Sequence, residues 1–175
     1  MEKNFKAKVW KFGDDIDTDL ITPGKYLGTP ELDANVLATE DPEFPVQVQK
    51  GDVLVGGKNF GCGSSRETAP EALKKLGIIA TFCESYARIY YRNSVGLGLP
   101  PLIVPGVSKE VEKGDEIEFS YETFILKNLR TGKELPAERI PDFLLEIIEA
   151  GGQEKILKVK MKAKAKELKE KEKAK

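Results

Sequence analysis

Apolar and polar positions alternate along several short stretches of the chain, and these stretches predict strands. In residues 5–12, Phe5, Ala7 and Val9 are apolar at every second position, which predicts a strand with one buried face. Residues 52–56, 78–82 and 102–104 are short aliphatic runs, as expected of strands that are buried on both faces. After Gly114 the stretches EIEFS and FILKN alternate, and together they predict an antiparallel pair.

Helical periodicity appears between and after these strands. The run 69–76 has apolar residues at the spacing of one helix face and ends at Gly77. The stretch ESYARIYYRNS predicts a second helix, and Pro141 opens a last one that stops at 151–152. Because helices alternate with buried strands in the middle of the chain, we predict an α/β fold with a mixed sheet, two βα units and a β-rich C-terminal portion.

One long polar segment interrupts this pattern directly after the first predicted strand. The segment GDDIDTDLITPGKYLGTPELD mixes glycine, proline and aspartate with few apolar residues, and it predicts a loop with little regular structure. Loops of this length are uncommon inside a compact domain unless they serve a function. We therefore expect this loop to contribute to a functional site.

Composition limits the chemistry that the chain can perform alone. With 175 residues of which 40% are apolar, the chain fits a single domain with one core. It has no histidine and only two cysteines, Cys62 and Cys83. This excludes Ser-His-Asp and Cys-His catalysis, metal sites with histidine ligands, and zinc or iron-sulfur sites that need four cysteines. We expect no metal in this chain, so any metal chemistry must come from a partner.

Charge and hydropathy indicate where the protein acts. Charged residues make up 33% of the chain, above the about 25% of an average globular protein, which favours a heat-adapted source. No apolar run approaches the about 18 residues of a membrane span, and the N-terminus lacks the apolar region of a signal peptide. We therefore expect a cytoplasmic protein that does not associate with membranes. Reduced cysteines are expected there, and a disulfide is the alternative because intracellular proteins of hyperthermophiles are an exception.

The C-terminal residues 158–175 differ in charge from the rest of the chain. They contain nine lysines and three glutamates, whereas residues 1–157 carry an excess of acidic groups. We divide the chain into a domain over 1–157 and a Lys-rich extension over 158–175. An exposed helical extension accounts for this composition, and an arm that binds nucleic acid is the less favoured alternative.

The segment GGKNFGCGSSRE, between a predicted strand and the helix at 69–76, is the best candidate for a binding site. Its glycines allow a ligand to approach the backbone, and the helix that follows would present a partial positive charge. Arg66 offers a planar fork for a carboxylate, whereas the spacing matches neither common nucleotide-binding motif. A structural alternative exists, because Ser64 and Glu67 have the spacing of a helix capping box.

Three segments in one order carry a resemblance to a known family. The segment GKNFGCGSSRE is preceded by DIDTDLITPGKYL and followed by ARIYYRNSVGLGLPPL, and this arrangement resembles the small subunits of 3-isopropylmalate dehydratases. These subunits are similar to the swivelling domain of aconitase and to the small subunit of homoaconitase. The resemblance extends from about residue 8 to about residue 155. It implies an aconitase-like swivelling β/β/α domain that closes over the active site of a separate large subunit.

The resemblance also implies an activity. The expected enzyme is a hydro-lyase of leucine biosynthesis that isomerises 2-isopropylmalate and 3-isopropylmalate, which are hydroxy diacids, by dehydration and rehydration. It would be active only with the large subunit, which would carry a 4Fe-4S cluster, while this chain would bind no cofactor. An assembly of identical copies of the isolated chain is also compatible with this expectation, and nucleic acid is not an expected partner.

Site residues follow from matching the motifs position by position. Ser64 corresponds to the base that removes a proton from the substrate, and Arg66 to the residue that binds a substrate carboxylate. Ser65 is assigned to the substrate-binding set, and Asp19 in the DTD motif to the surroundings of the site. The remaining supporting residues are Gly61, Gly63 and Glu67. Because a serine alkoxide is inaccessible at neutral pH, this base needs preorganised donors and exclusion of water.

The segment GKYLGTP at 24–30 is expected to distinguish substrates. The resemblance implies that Leu27, Gly28 and Thr29 lie against the substituent that differs between substrates, and that related enzymes for an extra carboxylate have arginine where this chain has Gly28. An uncharged glycine favours the isopropyl group. The alternative is a homoaconitase or a relaxed dehydratase that takes citramalate or homocitrate-type acids. A stand-alone anion-binding module with a basic tail is a remote alternative that leaves DTDLIT and GKYLGT unexplained.

Overall fold

Seven strands form one mixed sheet in the structure, a computed structural model that describes residues 3–161 and 164. The strands are β1 (Asn4–Lys11), β2 (Val53–Gly56), β3 (Ala80–Cys83), β4 (Pro101–Ile103), β5 (Glu116–Ser120), β6 (Ile125–Asn128) and β7 (Glu134–Pro136). Their order across the sheet is β4-β3-β2-β1-β5-β6-β7. The three-residue edge strand β7 was not predicted, because it is too short to show an alternating pattern.

Strand β1 divides the sheet into a parallel half and an antiparallel half. On one side it pairs in parallel with β2, and β3 and β4 continue the parallel order. On the other side it pairs antiparallel with β5, which continues into β6 and β7. Every residue of β2 and β3 is buried, as the uninterrupted apolar runs predicted for strands covered on both faces.

The helices cover the parallel half and fill the connections. They are α1 (Thr18–Ile21), α2 (Phe44–Gln47), α3 (Thr68–Lys75), α4 (Arg88–Leu97), α5 (Val107–Glu110) and α6 (Asp142–Glu149). The helices α3 and α4 connect β2 to β3 and β3 to β4, which confirms the two predicted βα units. The loop after β1 is mostly irregular as expected, but it contains the one-turn helix α1 and two short 3-10 turns, at Gly24–Tyr26 and Asp33–Asn35.

Two apolar clusters form the core, one on each face of the sheet. The first includes Val9, Phe82 and Phe119, and α6 packs against it through Ile148. The second includes Trp10, which is adjacent to Val9 in β1 and therefore points to the opposite face. The predicted α/β domain with a mixed sheet is confirmed by this architecture.

The C-terminal part of the chain continues α6 after a break. Ala150 ends α6, a further helix covers 153–161, and the break between them falls at the predicted glycine stop. Most of the Lys-rich extension lies outside the described residues, so the division at 157 stays a prediction. Within residues 3–161 and 164, none of the helices is long and apolar enough to cross a membrane.

Candidate active site

Two loops continue the parallel pairing of β1 and β2 beyond the carboxyl ends of these strands. The Asp15 amide donates to the Lys58 carbonyl at 2.8 Å, and the Gly61 amide donates to the Ile16 carbonyl at 2.7 Å. Open α/β sheets commonly bind their ligands at the carboxyl ends of parallel strands. The pairing therefore brings the DTD segment against the GCGSSRE segment at the edge where a ligand site is expected.

Ser64 is held by Thr18, a residue 46 positions earlier in the chain. The two hydroxyl oxygens are 3.2 Å apart, and the Ser64 amide donates to Thr18 Oγ1 at 3.1 Å. Thr18 is only 1% exposed, and its own amide donates to the Cys62 carbonyl at 2.9 Å. Ser64 itself is exposed. A buried hydroxyl thus orients a serine that a ligand can still reach.

Sequence reasoning missed Thr18. Its position in the middle of the DTD motif was the available signal, but the motif was interpreted only through Asp19. A hydroxyl between two aspartates has no distinctive local pattern, and its role depends on contact with a distant loop. The structure therefore adds one residue to the predicted site.

The structural alternative, a capping box between Ser64 and Glu67, does not form in the structure. Helix α3 begins at Thr68, and Glu67 precedes it in a helical conformation without a side-chain capping bond. Ser64 directs its amide and hydroxyl toward Thr18 instead, because the neighbouring loop offers a buried partner at hydrogen-bond distance. Ser64 consequently does not sit at a helix N-terminus, and the helix dipole cannot be the group that stabilises an alkoxide there.

Arg66 lies against the same short helix as Ser64. Its Nη1 donates to Asp19 Oδ1 at 2.5 Å and to the Thr22 carbonyl at 3.2 Å. The Arg66 side chain is 25% exposed, whereas that of Asp19 is 61% exposed. Among the described residues, no acceptor engages Nε or Nη2 of Arg66, so one side of the guanidinium stays available for a carboxylate.

Two glycines of the segment GCGSSRE are needed for different reasons. Gly61 has φ +77°, and a Cβ on it would lie 2.1 Å from the Tyr90 ring, so any larger residue would clash there. Gly63 has φ +90°, and a Cβ there would lie 3.3 Å from Thr18 Oγ1. A side chain at 63 would crowd the Thr18–Ser64 contact. Gly63 therefore supports the site directly, while Gly61 supports it through the fold.

Ser65 and Glu67 are exposed on the rim of the loop. The Ser65 carbonyl accepts a hydrogen bond from Asn93 Nδ2 at 3.2 Å, which ties the loop to α4. This bond uses the backbone of Ser65 and leaves its hydroxyl free to meet a ligand. The predicted substrate-binding part of Ser65 stays a prediction.

Residues 27–29 form a turn that follows the 3-10 turn at Gly24–Tyr26. A Cβ on Gly24, at the start of this turn, would lie 3.6 Å from Arg66 Nη2. Within the described part of the chain, no hydrogen bond joins 27–29 to 64–66. Gly28 has φ +76°, and a Cβ there would meet no atom within 4 Å. Its backbone conformation alone favours glycine, and the open space beside it is consistent with the predicted contact to a substrate substituent.

Two carboxylates of the loop after β1 lie near Cys62, and the thiol of Cys62 is not activated. Burial and the neighbouring Asp17 and Asp15 carboxylates raise the pKa of the Cys62 thiol. Burial raises the pKa of Cys83 to about 12. Both are free thiols. Over residues 3–161 and 164, no group of three or more Cys, Asp or Glu side chains could hold a metal ion, so these residues do not fit a 4Fe-4S cluster.

A mixed sheet in which two loops pair beyond the carboxyl ends of the parallel strands β1 and β2 is found in a known class of domains. The family model described as the aconitase C-terminal domain matches residues 3–106. This chain belongs to that family. The predicted resemblance is confirmed at this level, and with it the aconitase-like fold class.

Within the family, the chain is similar to proteins named as small subunits. It is 49% identical to the isopropylmalate/citramalate isomerase small subunit of Methanocaldococcus jannaschii, over 92% of this chain and 98% of that protein. It is 44% identical to the methanogen homoaconitase small subunit of Methanothermobacter thermautotrophicus, over 87% of this chain and 89% of that protein. A crystal structure of 3-isopropylmalate dehydratase from Methanocaldococcus jannaschii superposes with a TM-score of 0.88 at 40% identity, covering 94% of this chain and 99% of that chain.

Proposed function

We propose that this chain is the small subunit of a hydro-lyase that interconverts 2-isopropylmalate and 3-isopropylmalate in leucine biosynthesis, by dehydration followed by rehydration. Relatives with isopropylmalate in their names align over nearly the whole of both chains, which supports this assignment. We further propose that the enzyme acts in the cytoplasm and only as an assembly with its large subunit.

The observation that carries the proposal is the convergence of Ser64 and Arg66 on helix α1. Ser64 contacts Thr18 in that helix, and Arg66 contacts Asp19 one residue later. In the proposed dehydration, the Ser64 oxygen takes a proton from the carbon beside the one that carries the hydroxyl. The electron pair of the broken C–H bond forms the double bond, and the hydroxyl leaves the adjacent carbon as hydroxide with the C–O bonding pair. In rehydration, hydroxide adds to the carbon that lost the proton, and the Ser64 hydroxyl returns a proton to the other carbon. The free edge of Arg66 holds a substrate carboxylate during both steps.

The site on this chain is incomplete, which explains the proposed need for a partner. Ser64 is exposed in the isolated chain, whereas a serine can act as a base only where water is excluded and preorganised donors face it. We propose that the large subunit covers Ser64 and carries the 4Fe-4S cluster. The lack of suitable ligands among the described residues of this chain supports placing the cluster on the partner.

Substrate choice is assigned to the turn at 27–29. Gly28 is uncharged and has open space beside it, which favours a substrate with an apolar substituent over a substrate with a third carboxylate. The names of relatives keep citramalate and homoaconitase substrates as alternatives. Steady-state rates of the assembled enzyme with isopropylmalate, citramalate and homocitrate would distinguish them, and we expect isopropylmalate to have the highest kcat/KM.

The central experiment is reconstitution with a cluster-loaded large subunit. The wild-type chain should restore isomerisation of isopropylmalate, and Ser64→Ala should lower kcat by at least about 1,000-fold because it removes the proton acceptor. Assembly, measured by size-exclusion chromatography, should be unchanged, since the substitution removes a single oxygen atom and leaves the rest of the covered surface as it is.

Ser120→Ala provides the matched control. It makes the same change on β5, where the Ser120 hydroxyl accepts only long bonds of 3.3 and 3.5 Å, and it should keep wild-type rates. A Ser64→Ala enzyme with near-normal kcat would contradict the proposed base. A wild-type chain that is fully active without the large subunit would contradict the proposal that the enzyme acts only as an assembly.

A further inference from the structure

Among the described residues, Thr18 is the one whose side chain lies at hydrogen-bond distance from the Ser64 hydroxyl. It approaches Ser64 in three ways: its Oγ1 accepts from the Ser64 amide at 3.1 Å, lies 3.2 Å from Ser64 Oγ, and donates toward the Ser64 carbonyl at 3.4 Å. Both hydroxyl distances exceed the usual O–H···O range of about 2.5 to 3.0 Å, and the Ser64 hydroxyl is the nearer acceptor for the single Thr18 proton.

A rigid frame surrounds Thr18. Its carbonyl accepts from both the amide and the hydroxyl of Thr22, at 3.0 and 3.1 Å, and its amide donates to the Cys62 carbonyl at 2.9 Å. The Asp17 side chain caps the same turn by accepting from the Leu20 amide at 2.7 Å. Because the backbone on both sides is hydrogen-bonded, the Thr18 hydroxyl stays at its place whether or not Ser64 is ionised.

The protonation state of Ser64 decides the direction of the Thr18 bond. A neutral Ser64 hydroxyl either donates to Thr18 or accepts from it, because each oxygen has one proton and two lone pairs. A Ser64 alkoxide can only accept. The Thr18 proton then points at the negative oxygen, and a charge-assisted bond of this kind is stronger than a neutral one. The bond therefore favours the ionised base over the neutral serine.

We propose that Thr18 is a positioning residue whose hydroxyl stabilises the Ser64 alkoxide. This inference rests on the proposed function, in which Ser64 is the base. The N-terminus of α3 is not available for this role, since α3 begins at Thr68 and Ser64 lies outside it. The Thr18 hydroxyl acts on Ser64 in the transition state and does not touch substrate, so it contributes to kcat more than to KM.

The test uses the enzyme reconstituted with its large subunit and the variants Thr18→Val and Thr18→Ser. Valine keeps the β-branched shape and removes the hydroxyl, and kcat should fall about 10- to 100-fold, the range expected for one hydrogen bond to a charged group. KM should stay within about twofold. Serine keeps the hydroxyl and should restore kcat to within about threefold of wild type. With substrate deuterated at the carbon that loses the proton, the isotope effect on kcat should rise in Thr18→Val, because proton removal becomes slower relative to other steps.

Thr81→Val is the matched control, since Thr81 is equally buried and bonds another hydroxyl, that of Tyr86 at 2.8 Å, within the sheet. It should leave kcat and the isotope effect unchanged.

If Thr18→Val does not assemble, Thr18→Ala is compared with Thr18→Ser, and the same limits on kcat test the inference. The inference is overturned if the variant without the hydroxyl keeps kcat within about twofold, or if Thr18→Ser loses as much as that variant. A normal kcat in Ser64→Ala would instead overturn the proposed base itself.

Discussion

Two arginine–aspartate pairs, one in each half of the sheet, have the same 2.5 Å contact and opposite burial. Arg130 and Asp115 lie in the antiparallel half, where the Asp115 side chain is 5% exposed and that of Arg130 is 55% exposed. Arg66 and Asp19 lie in the parallel half, where the arginine is 25% exposed and the aspartate 61%. In the first pair the carboxylate is the buried charge, and in the second the guanidinium is the more buried one.

Asp115 has every feature of a structural carboxylate. Arg130 donates to both of its oxygens, at 2.5 and 3.0 Å, and Asn128 Nδ2 and the Glu112 amide donate to it at 2.7 and 2.9 Å. The Arg130 hydrogen bonds lower the pKa of Asp115 to about 2, against the opposing effect of burial. A buried charge with all of these partners stabilises the fold and leaves nothing for a ligand.

Arg66 is held on one side only. Nη1 serves Asp19 and the Thr22 carbonyl, whereas Nε and Nη2 have no acceptor among the described residues. Its counter-charge, Asp19, is exposed to water, so the pair is weak and tolerates the arrival of a second carboxylate. The two pairs differ in which charge is buried, and the proposed binding role of Arg66 rests on the donors that its half-buried guanidinium leaves unused rather than on the ion pair itself.

Replacing the arginine of the parallel-half pair should have the largest effect. Arg66→Lys keeps the charge but removes the planar fork, so kcat/KM of the reconstituted enzyme should fall about 100- to 1,000-fold while the fold persists. Steady-state kinetics and circular dichroism measure the two quantities. Arg130→Lys is the matched control and should lower stability with little change in kcat/KM. Equal kinetic losses in both variants would show that the comparison of the two pairs is mistaken.

Asp115→Asn should lower the stability of the free chain at pH 7 by about 2 kcal/mol, because a hydrogen-bonded buried charge is lost. The pKa of Asp115 is depressed in the folded chain, so its contribution is complete above the unfolded value of 3.8 and disappears as the pH falls toward about 2. Urea unfolding at several pH values should show the gap between wild type and variant shrinking between pH 4 and pH 2. A gap that is the same at pH 7 and pH 2 would contradict this assignment.

The smallest effect is expected from Asp19→Asn. Exposed ion pairs contribute about 0 to 1 kcal/mol, so the free energy of unfolding should change by less than about 0.5 kcal/mol. We expect kcat/KM to fall about three- to tenfold, because one of the two acceptors that orient Arg66 loses its negative charge and holds the guanidinium less strongly. A loss as large as that of Arg66→Lys would place Asp19 in contact with the substrate and would make it a catalytic residue.

Local patterns predicted the regular part of the fold well. The strands β1 to β6 and the helices α3, α4 and α6 all overlap the predicted stretches, with bounds that differ by up to four residues, and the glycine stop follows α6 as predicted. One-turn helices and the edge strand β7 escaped prediction because three or four residues are too few to show a periodicity. The motif residues Ser64, Arg66 and Asp19 were predicted from the sequence, and the structure brings them together around α1.

Predictions that depended on distant contacts were less successful. The sequence Ser64 to Glu67 satisfies a capping box, yet Ser64 pairs with Thr18 and α3 starts four residues later. The glycines of the loop suggested close approach of a ligand, yet Gly61 is needed because the Tyr90 ring packs on it. In both cases a contact with a remote segment replaced the role that the neighbouring residues favoured.

The amino-acid sequence by itself determined the succession of buried strands and helices, the size of the domain, the absence of histidine and the serine–arginine motif, because these properties follow from local periodicity and composition. Only the tertiary structure decided which hydroxyl faces Ser64 and which side of Arg66 remains free. That choice depends on the parallel register of β1 and β2, which aligns two loops 46 positions apart, and no local pattern in either loop specifies this register.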